Sequence, residues 1–310
     1  MPSRAKLLQP LTPTIQMLDS VAADPAPRPE PVSVEQIEAY YDKKTLSLLH
    51  RYGPGPRVHY HSGIVARPYD PTGSFSVLKS SIHRSQEHLM THLAQLWEAR
   101  ANLCGDVLDV GCGLGGGSLF WAQEFGATVT AVTCASSHIS WITKFAQQAG
   151  VPHLVKPLLS DAVQIPGENC FDAAIAIESS CHMPRRPLFQ RLASLLRPGG
   201  RIFIEDYFTN KQEITDLFHR HWGSPLGSRE EYREAGEEAG LRLESVDDLT
   251  ETLAPYWSLS AALLKAEVRR RILNSAEREK HTQSLAVHTK VGKDMWSHDI
   301  EALALSFRKL

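Results

Sequence analysis

Cysteine is scarce in this chain: five residues in 310, at Cys104, Cys112, Cys134, Cys170 and Cys181, with no CxxC pair among them. That scatter argues against a structural zinc site and a secreted disulfide framework, and points to a reducing, cytoplasmic setting. No charge of one sign dominates. With 33 Lys and Arg against 35 Asp and Glu the formal net charge is -2, so the basic field that would neutralise a nucleic-acid backbone is missing and no nucleic-acid partner is expected. No apolar run approaches the roughly 18 to 20 residues that span a bilayer. The opening MPSRAKLLQPLTPTIQ also lacks a signal-peptide core. A soluble protein acting on a small molecule is expected, and a homo-oligomer is compatible with this composition.

What is present organises into three stretches. Residues 1–32 include DPAPRPEPV, whose prolines remove donors and restrict their predecessors, so this part reads as a disordered tail. Residues 33–100 read as a helical cap with an access loop. SVEQIEAYYDKKTLSLLHRY carries Ser33 as a cap with Gln36 as its capping-box partner and predicts one or two amphipathic helices. The loop GPGPRVHYHSGIVARPYDPTGSF follows, and then the helical run SSIHRSQEHLMTHLAQLWEAR. From residue 101 to 310, strand-like runs DVLDVG, ATVTAVT, HLVKPLLS, FDAAIAI and GRIFIEDYF alternate with helical SLFWAQEF, SSHISWITKFAQQAG and PLFQRLASLL. That alternation predicts an α/β fold with a parallel sheet covered on both faces. Beyond it, SREEYREAGEEAG predicts a helix ending at Gly240, LRLESVDDLT a strand, and LSAALLKAEVRRRILNSAEREK one long helix. The remainder predicts a closing helix and a short edge strand.

The segment VLDVGCGLGGGSLF places glycines directly after the first strand. A strand, a glycine turn and a helix bring backbone close to a nucleotide, because glycine has no Cβ to hold the ligand away. Asp109, two residues before the first glycine, adds a carboxylate that pairs with a cationic ligand group. This suits S-adenosylmethionine, whereas the pyrophosphate of a dinucleotide would be repelled. A nicotinamide oxidoreductase shares the device, but here it lies mid-chain and no acid ends the second strand. A catalytically silent scaffold is the third class to separate, since fold does not fix function.

With these motifs the chain resembles the class I S-adenosylmethionine-dependent methyltransferases, over about Leu103 to Phe208, with LLRPGGRIFIED as the late helix-turn-strand motif. The resemblance implies a Rossmann-like, doubly wound, mostly parallel sheet. It implies cofactor contacts from Asp109, Gly111 and Gly113, and from Asp161 with the Ala162 amide at the adenine. In VTAVTCASSHISW the usual ribose-binding acid is absent; the resemblance places Thr133, Ser136 and His138 there instead. A plainer use of Asp161 is to begin a turn.

The fourth strand runs out as AIAIESSCHMP and leaves Glu178 where a methyl acceptor meets the sulfonium. A carboxylate in a partly dry pocket can act as a general base, with His182 as a second candidate; the plainer use of Glu178 is to cap the next helix. Tyr40, Tyr41, Tyr60, Trp222, Tyr256 and Trp257 come from segments flanking the open edge of the sheet, where aromatic faces attract a cation or simply fill space. HYHSGI, HRSQEHLMTHL, AVTCASSH, IESS, SREEYREAGEEAGL and DLTETLAPYW together resemble a narrower group, the isoprenoid-diphosphate C-methyltransferases. That resemblance implies methylation of an alkene carbon of a prenyl diphosphate, such as geranyl or farnesyl diphosphate, in terpenoid or natural-product biosynthesis. It further implies a carbocation deprotonated by Glu178 and Mg2+ accompanying the diphosphate, with metal ligands unspecified. Arg51, Arg57, His59, His61, Lys79, His83 and Arg84 are the basic residues expected near the mouth. O- or N-methylation of a polyketide-like or other secondary metabolite is the alternative.

Overall fold

The structure, a computed structural model, describes residues 33–66, 69–270 and 274–310; the expected tail, 1–32, lies outside the described residues. Helix α1 (Val34–Tyr52) starts at the predicted capping box, with the Ser33 and Gln36 side chains each accepting from the other's backbone amide. It is one continuous helix. Helix α2 (Phe75–Leu96) begins earlier than its apolar run suggested, because Ser74 caps it, and a short α3 (Ala99–Asn102) leads into the sheet.

Strands β1 (Asp106–Val110), β2 (Thr128–Thr133), β3 (Val155–Leu159), β4 (Phe171–Ile177) and β5 (Leu196–Phe208) are the five that were read from the sequence. Between them lie α4 (Gly116–Phe125), α5 (Ser136–Gln148) and α6 (Arg185–Leu195), followed by α7 (Gln212–Trp222), α8 (Arg229–Glu238), β6 (Leu241–Asp248), α9 (Thr250–Arg270), α10 (Ser275–Trp296) and β7 (Glu301–Lys309). The sheet order is β3-β2-β1-β4-β5-β7-β6. The first five strands run parallel, and β7 is antiparallel to both neighbours. This is the doubly wound, Rossmann-like arrangement that the alternating pattern predicts.

Strand residues alternate between two cores. Val107, Ala173, Ile175 and Phe203 face one core with α2, α4, α5 and α9; Leu108, Val110, Ala174, Ile202 and Ile204 face the other with α6 and α8. Burying both faces explains why these strands read as continuous apolar runs.

Two expectations at the end of the chain need correction. The long helix predicted through LSAALLKAEVRRRILNSAEREK is two helices, because Asn274 accepts from the Glu277 amide and starts α10 afresh with a full capping box. The closing strand is neither short nor at an edge: β7 has nine residues and sits between β5 and β6, leaving β6 as the edge. Its ALALSF stretch is buried on both sides, the mark of an interior strand. Helix α7 was not anticipated at all.

Candidate active site

At the carboxyl end of β1 the chain turns through Gly111 at φ +75° and Gly113 at φ +55°, a region that side chains other than glycine seldom adopt. A Cβ on Gly111 would lie 2.6 Å from that of Ser179, whereas one on Gly113 would meet nothing within 4 Å. The first glycine permits close packing against the loop after β4; the second leaves open space above the turn. That space belongs to a cavity of about 370 Å3 whose lining includes Asp109, Gly111, Gly113, Thr133, His138, Asp161 and Ala162. Every residue that the resemblance assigned to the cofactor is thus brought together, except Ser136, which is exposed at the start of α5 and is replaced in the wall by Cys134.

The chemistry of this wall fits S-adenosylmethionine. Asp109 is buried and accepts from Ser118 Oγ at 2.6 Å. Burial pushes its carboxyl up to about 6, against the lowering effect of the Ser118 bond, so an ammonium group would relieve an exposed need for a cation. His138 lines the cavity, and burial lowers its imidazole to about 4, leaving a neutral ring suited to a hydroxyl or carboxylate. Asp161 accepts from the Val163 amide at 3.1 Å. It therefore does start a turn, as its plainer use required, while also lining the cavity.

Glu178 follows the last residue of β4 with φ +43°, an uncommon backbone for a side chain of this size. Its amide donates to the Glu205 carbonyl at 2.7 Å and its Oε1 accepts from the Ser62 amide at 2.6 Å. Burial drives the carboxyl up to about 7; the Ser62 bond lowers it and the nearby Asp206 raises it further. It caps no helix. Ser179 Oγ donates to the Val110 carbonyl and Ser180 Oγ to Asp206, so neither serine is a cap either. Asp206 also accepts from the amides of Cys181 and Tyr207, which fixes the turn Ser180–His182. His182 Nε2 lies 3.4 Å from the Tyr41 hydroxyl, and burial lowers its ring to about 4.

A second cavity, of about 120 Å3, adjoins the first. Tyr41, Tyr60, His61, Glu178 and His182 line both. Beyond this shared wall the second cavity is bounded by Tyr207, Phe218, Trp222, Tyr256 and Trp257, and by Lys44, Arg51, His221 and His288. The Trp257 ring lies 5.8 Å from those of Tyr207 and Trp222, so the aromatics form one connected surface. Arg51 is paired with Glu267 at 2.6 Å, and burial, then Arg51, lowers the Lys44 amine to about 8.

Some expected residues lie elsewhere. Tyr40 lines neither cavity: its hydroxyl accepts from Lys44 and its ring packs edge-on against Tyr41 at 5.2 Å. Arg57 is turned away, bound to Glu87, Glu124 and Gln123. Lys79, His83 and Arg84 are likewise outside the cavity walls, bound to the His50 carbonyl, the Arg57 carbonyl and Ser81. His59 lines the first cavity only. Conversely, Lys44, Tyr207, Phe218, His221, His288, Glu205 and Asp206 were not singled out from the sequence. For α7 a signal existed, since Ile214, Phe218 and Trp222 repeat every fourth residue. Among the described residues, no group of three or more His, Cys, Asp and Glu stands ready to hold a metal ion, and no helix is long and apolar enough to cross a membrane.

Residues 107–200 match the family described as a methyltransferase domain. The O-methyltransferase resE of Aspergillus sclerotiorum is 30% identical over 180 residues, covering 55% of this chain and 68% of that protein. The geranyl diphosphate 2-C-methyltransferase of Streptomyces lasalocidi is 27% identical over 260 residues, 78% of this chain and 85% of the relative. In structure, the geranyl diphosphate C-methyltransferase of Streptomyces coelicolor A3(2), solved with Mg2+, geranyl diphosphate and S-adenosyl-L-homocysteine, superposes with a TM-score of 0.73. It is 18% identical, and the match covers 89% of this chain and 98% of that one; at that identity the likeness speaks for the fold. With its glycine turn, buried Asp109 and adjoining cavities, the chain belongs to the class I S-adenosylmethionine-dependent methyltransferases.

Proposed function

We propose that the protein is a C-methyltransferase that adds a methyl group to an alkene carbon of a prenyl diphosphate such as geranyl or farnesyl diphosphate. The observation that carries this reading is the place of Glu178, on the wall shared by the two cavities and facing an aromatic surface. S-adenosylmethionine, when bound, supplies an electrophilic methyl group on its sulfonium. In the reaction, the alkene π electrons would form the new carbon–methyl bond as the methyl–sulfur bond breaks with its electron pair left on sulfur, giving S-adenosylhomocysteine, and the positive charge would move to the neighbouring alkene carbon. The C–H electrons next to that carbon then restore the double bond, and Glu178 takes the released proton.

The residues of the chain support each part. Asp109, Gly111, Gly113, Thr133, His138, Asp161 and Ala162 hold the methyl donor. Tyr207, Phe218, Trp222, Tyr256 and Trp257 shelter the charged intermediate, each well-placed ring contributing about 0.5–2 kcal/mol. With Glu178 held near 7, its carboxylate is available at neutral pH and still basic enough to accept a proton. At the second cavity Lys44 and Arg51 bring positive charge although Tyr40 and Glu267 already engage them, and burial with that charge lowers the His221 and His288 rings to about 4 and about 3; a diphosphate arriving with Mg2+ would favour the protonated form of this group. Residues 33–100 act as a cap, since Tyr41, Tyr60 and His61 close over both cavities. The relatives that methylate geranyl diphosphate point the same way, and the five free cysteines accord with a cytoplasmic setting.

A second reading, O- or N-methylation of a secondary metabolite, draws on His182, whose buried, neutral ring lines both cavities and could take a hydroxyl proton. Labelled S-adenosylmethionine incubated with prenyl diphosphates of different lengths tests the choice. Label transferred to a prenyl diphosphate in a Mg2+-dependent way supports alkene methylation. Label transferred only to phenolic or amine acceptors overturns it.

A further inference from the structure

His59 and His61 stand in a continuous chain of polar contacts that ends at the candidate base. The Ser62 amide donates to Glu178 Oε1 at 2.6 Å. The carbonyl of the same Ser62 lies 2.7 Å from His61 Nδ1, His61 Nε2 lies 3.1 Å from His59 Nδ1, and His59 Nε2 lies 2.9 Å from Glu87 Oε1. Gln86 clamps the loop from below, donating to the carbonyls of both His59 and His61.

The two ends of the histidine chain, a carbonyl and a carboxylate, only accept. Three hydrogen bonds therefore need three ring protons, whereas two neutral imidazoles carry one each. Were both rings neutral, two lone pairs would face each other across one of these buried contacts, at a cost of about 1–3 kcal/mol. Glu87 is not where the third proton rests. Its other oxygen, Oε2, accepts from Arg57 at 3.0 Å, and that guanidinium favours the charged carboxylate whatever the state of His59.

We propose that His59 and His61 carry one excess proton between them, anchored by Glu87, and that this buried positive charge positions Ser62 and stabilises the negative charge of Glu178. The functional half of this statement rests on Glu178 being the base. Burial holds both rings below the ordinary imidazole value, His61 at about 3, and His83 and Arg57 add like charge beside His59 while Glu87 pulls the other way; the proton count of the three contacts is what argues against two neutral rings. The amino end of α4 adds to the like charge, since a Cβ on Gly116 would be 2.9 Å from His59 Nδ1. Glu87 is the carboxylate that meets a histidine ring directly, and a charge-assisted bond to it is about twice as strong as a neutral one.

The need for such a charge is plain from the other side. Glu178 faces Tyr41 and Tyr52 from α1, Tyr60 from the loop that follows, His182 after β4, Tyr256 from α9, and Glu205, Asp206 and Tyr207 from β5. Two of these are carboxyls. The cations of the second cavity are engaged elsewhere, Lys44 with Tyr40 and Arg51 with Glu267.

Nitrogen-15 spectra of histidine in the full chain with S-adenosylhomocysteine bound test the first half, with His61→Asn used to assign the pair. At about pH 8, where an ordinary imidazole is neutral, the wild type should show a ring protonated on both nitrogens, and Glu87→Gln should lose it. Only neutral rings at that pH in the wild type would overturn the proposal without any variant. Carbon-13 spectra of glutamate carboxyls, read as wild type minus Glu178→Gln, test the second half. In Glu87→Gln and His61→Asn the Glu178 titration should move up by about one pH unit or more, a tenfold change in its proton affinity. An unmoved titration in variants that still bind S-adenosylhomocysteine would overturn it. Neither measurement uses a methyl acceptor, so a wrong substrate class would leave both results standing.

Discussion

The amide of Glu178 donates to the carbonyl of Glu205 at 2.7 Å, tying the end of β4 to β5 where Glu178, Glu205 and Asp206 all titrate above the ordinary carboxylate range. Three acids in one buried neighbourhood cannot all be charged at once. Their environments separate them. Asp206 accepts three hydrogen bonds, Glu178 accepts one from Ser62, and both oxygens of Glu205 are buried without a partner.

Replacing Glu178 with glutamine removes the proton acceptor while preserving shape. Methyl transfer should fall by about 100- to 10,000-fold with S-adenosylhomocysteine affinity nearly unchanged, as measured by initial rates and calorimetry. Retained turnover would exclude Glu178 as the base. In the wild type the rate should rise with pH through about 7, because only the carboxylate accepts a proton.

The same residue has a stability signature of the opposite sense. Its folded carboxyl binds a proton more tightly than the ordinary value of 4.5 and titrates at about 7, so the stability it contributes is complete below about pH 4.5 and is lost as pH rises through 7. Thermal unfolding should therefore show Glu178→Gln gaining on the wild type at pH 8, with the gap closing towards pH 5. An equal difference at both pH values would contradict this.

Asp109→Asn should weaken S-adenosylhomocysteine binding by roughly tenfold to a hundredfold, matching the 1.5–3 kcal/mol of a hydrogen bond to a charged group. Wild-type affinity should fall as pH drops below about 6, where Asp109 takes up its proton. Calorimetry across pH distinguishes this from a purely structural role, which would show no such dependence.

Glu205→Gln and Asp206→Ala should behave in contrast. Burial, then Glu178 and Asp206, push the Glu205 carboxyl well above its ordinary value, which favours the neutral acid that an amide mimics closely, so S-adenosylhomocysteine binding should persist. Removing Asp206 leaves Ser180 and the Cys181 amide without their acceptor, with a destabilisation of about 1–3 kcal/mol readable in denaturant titration. Equal effects of the two variants would refute this division of roles.

The cofactor half of the site was legible because its residues sit at consecutive strand ends, and a glycine turn announces itself in sequence. The acceptor half was not, since its walls come from α1, α7, α9 and α10, and aromatics on helices look alike whether they face a cavity or a core. Tyr40 and Tyr41 show the limit. Neighbours on a helix point about 100° apart, so one supports and the other lines the cavity, and composition alone cannot choose. Along the loop, period-two spacing puts Arg57, His59 and His61 on one side, where Arg57 and His59 share Glu87 and Arg57 reaches on to Glu124. Helix α7 went unread because Lys211 offers no capping side chain, although its four-residue apolar spacing was there. Strand β7 was misplaced because nothing in ALALSF says which strands it will join.

Five residues, Tyr41, Tyr60, His61, Glu178 and His182, face both cavities, so ligands held in the two would share a partition rather than occupy separate rooms. Whatever one ligand does to the free energy of that partition, the other must feel by the same factor in reverse. Under the proposed function, any tightening of acceptor by cofactor must equal the tightening of cofactor by acceptor, a single number that can be measured from both directions.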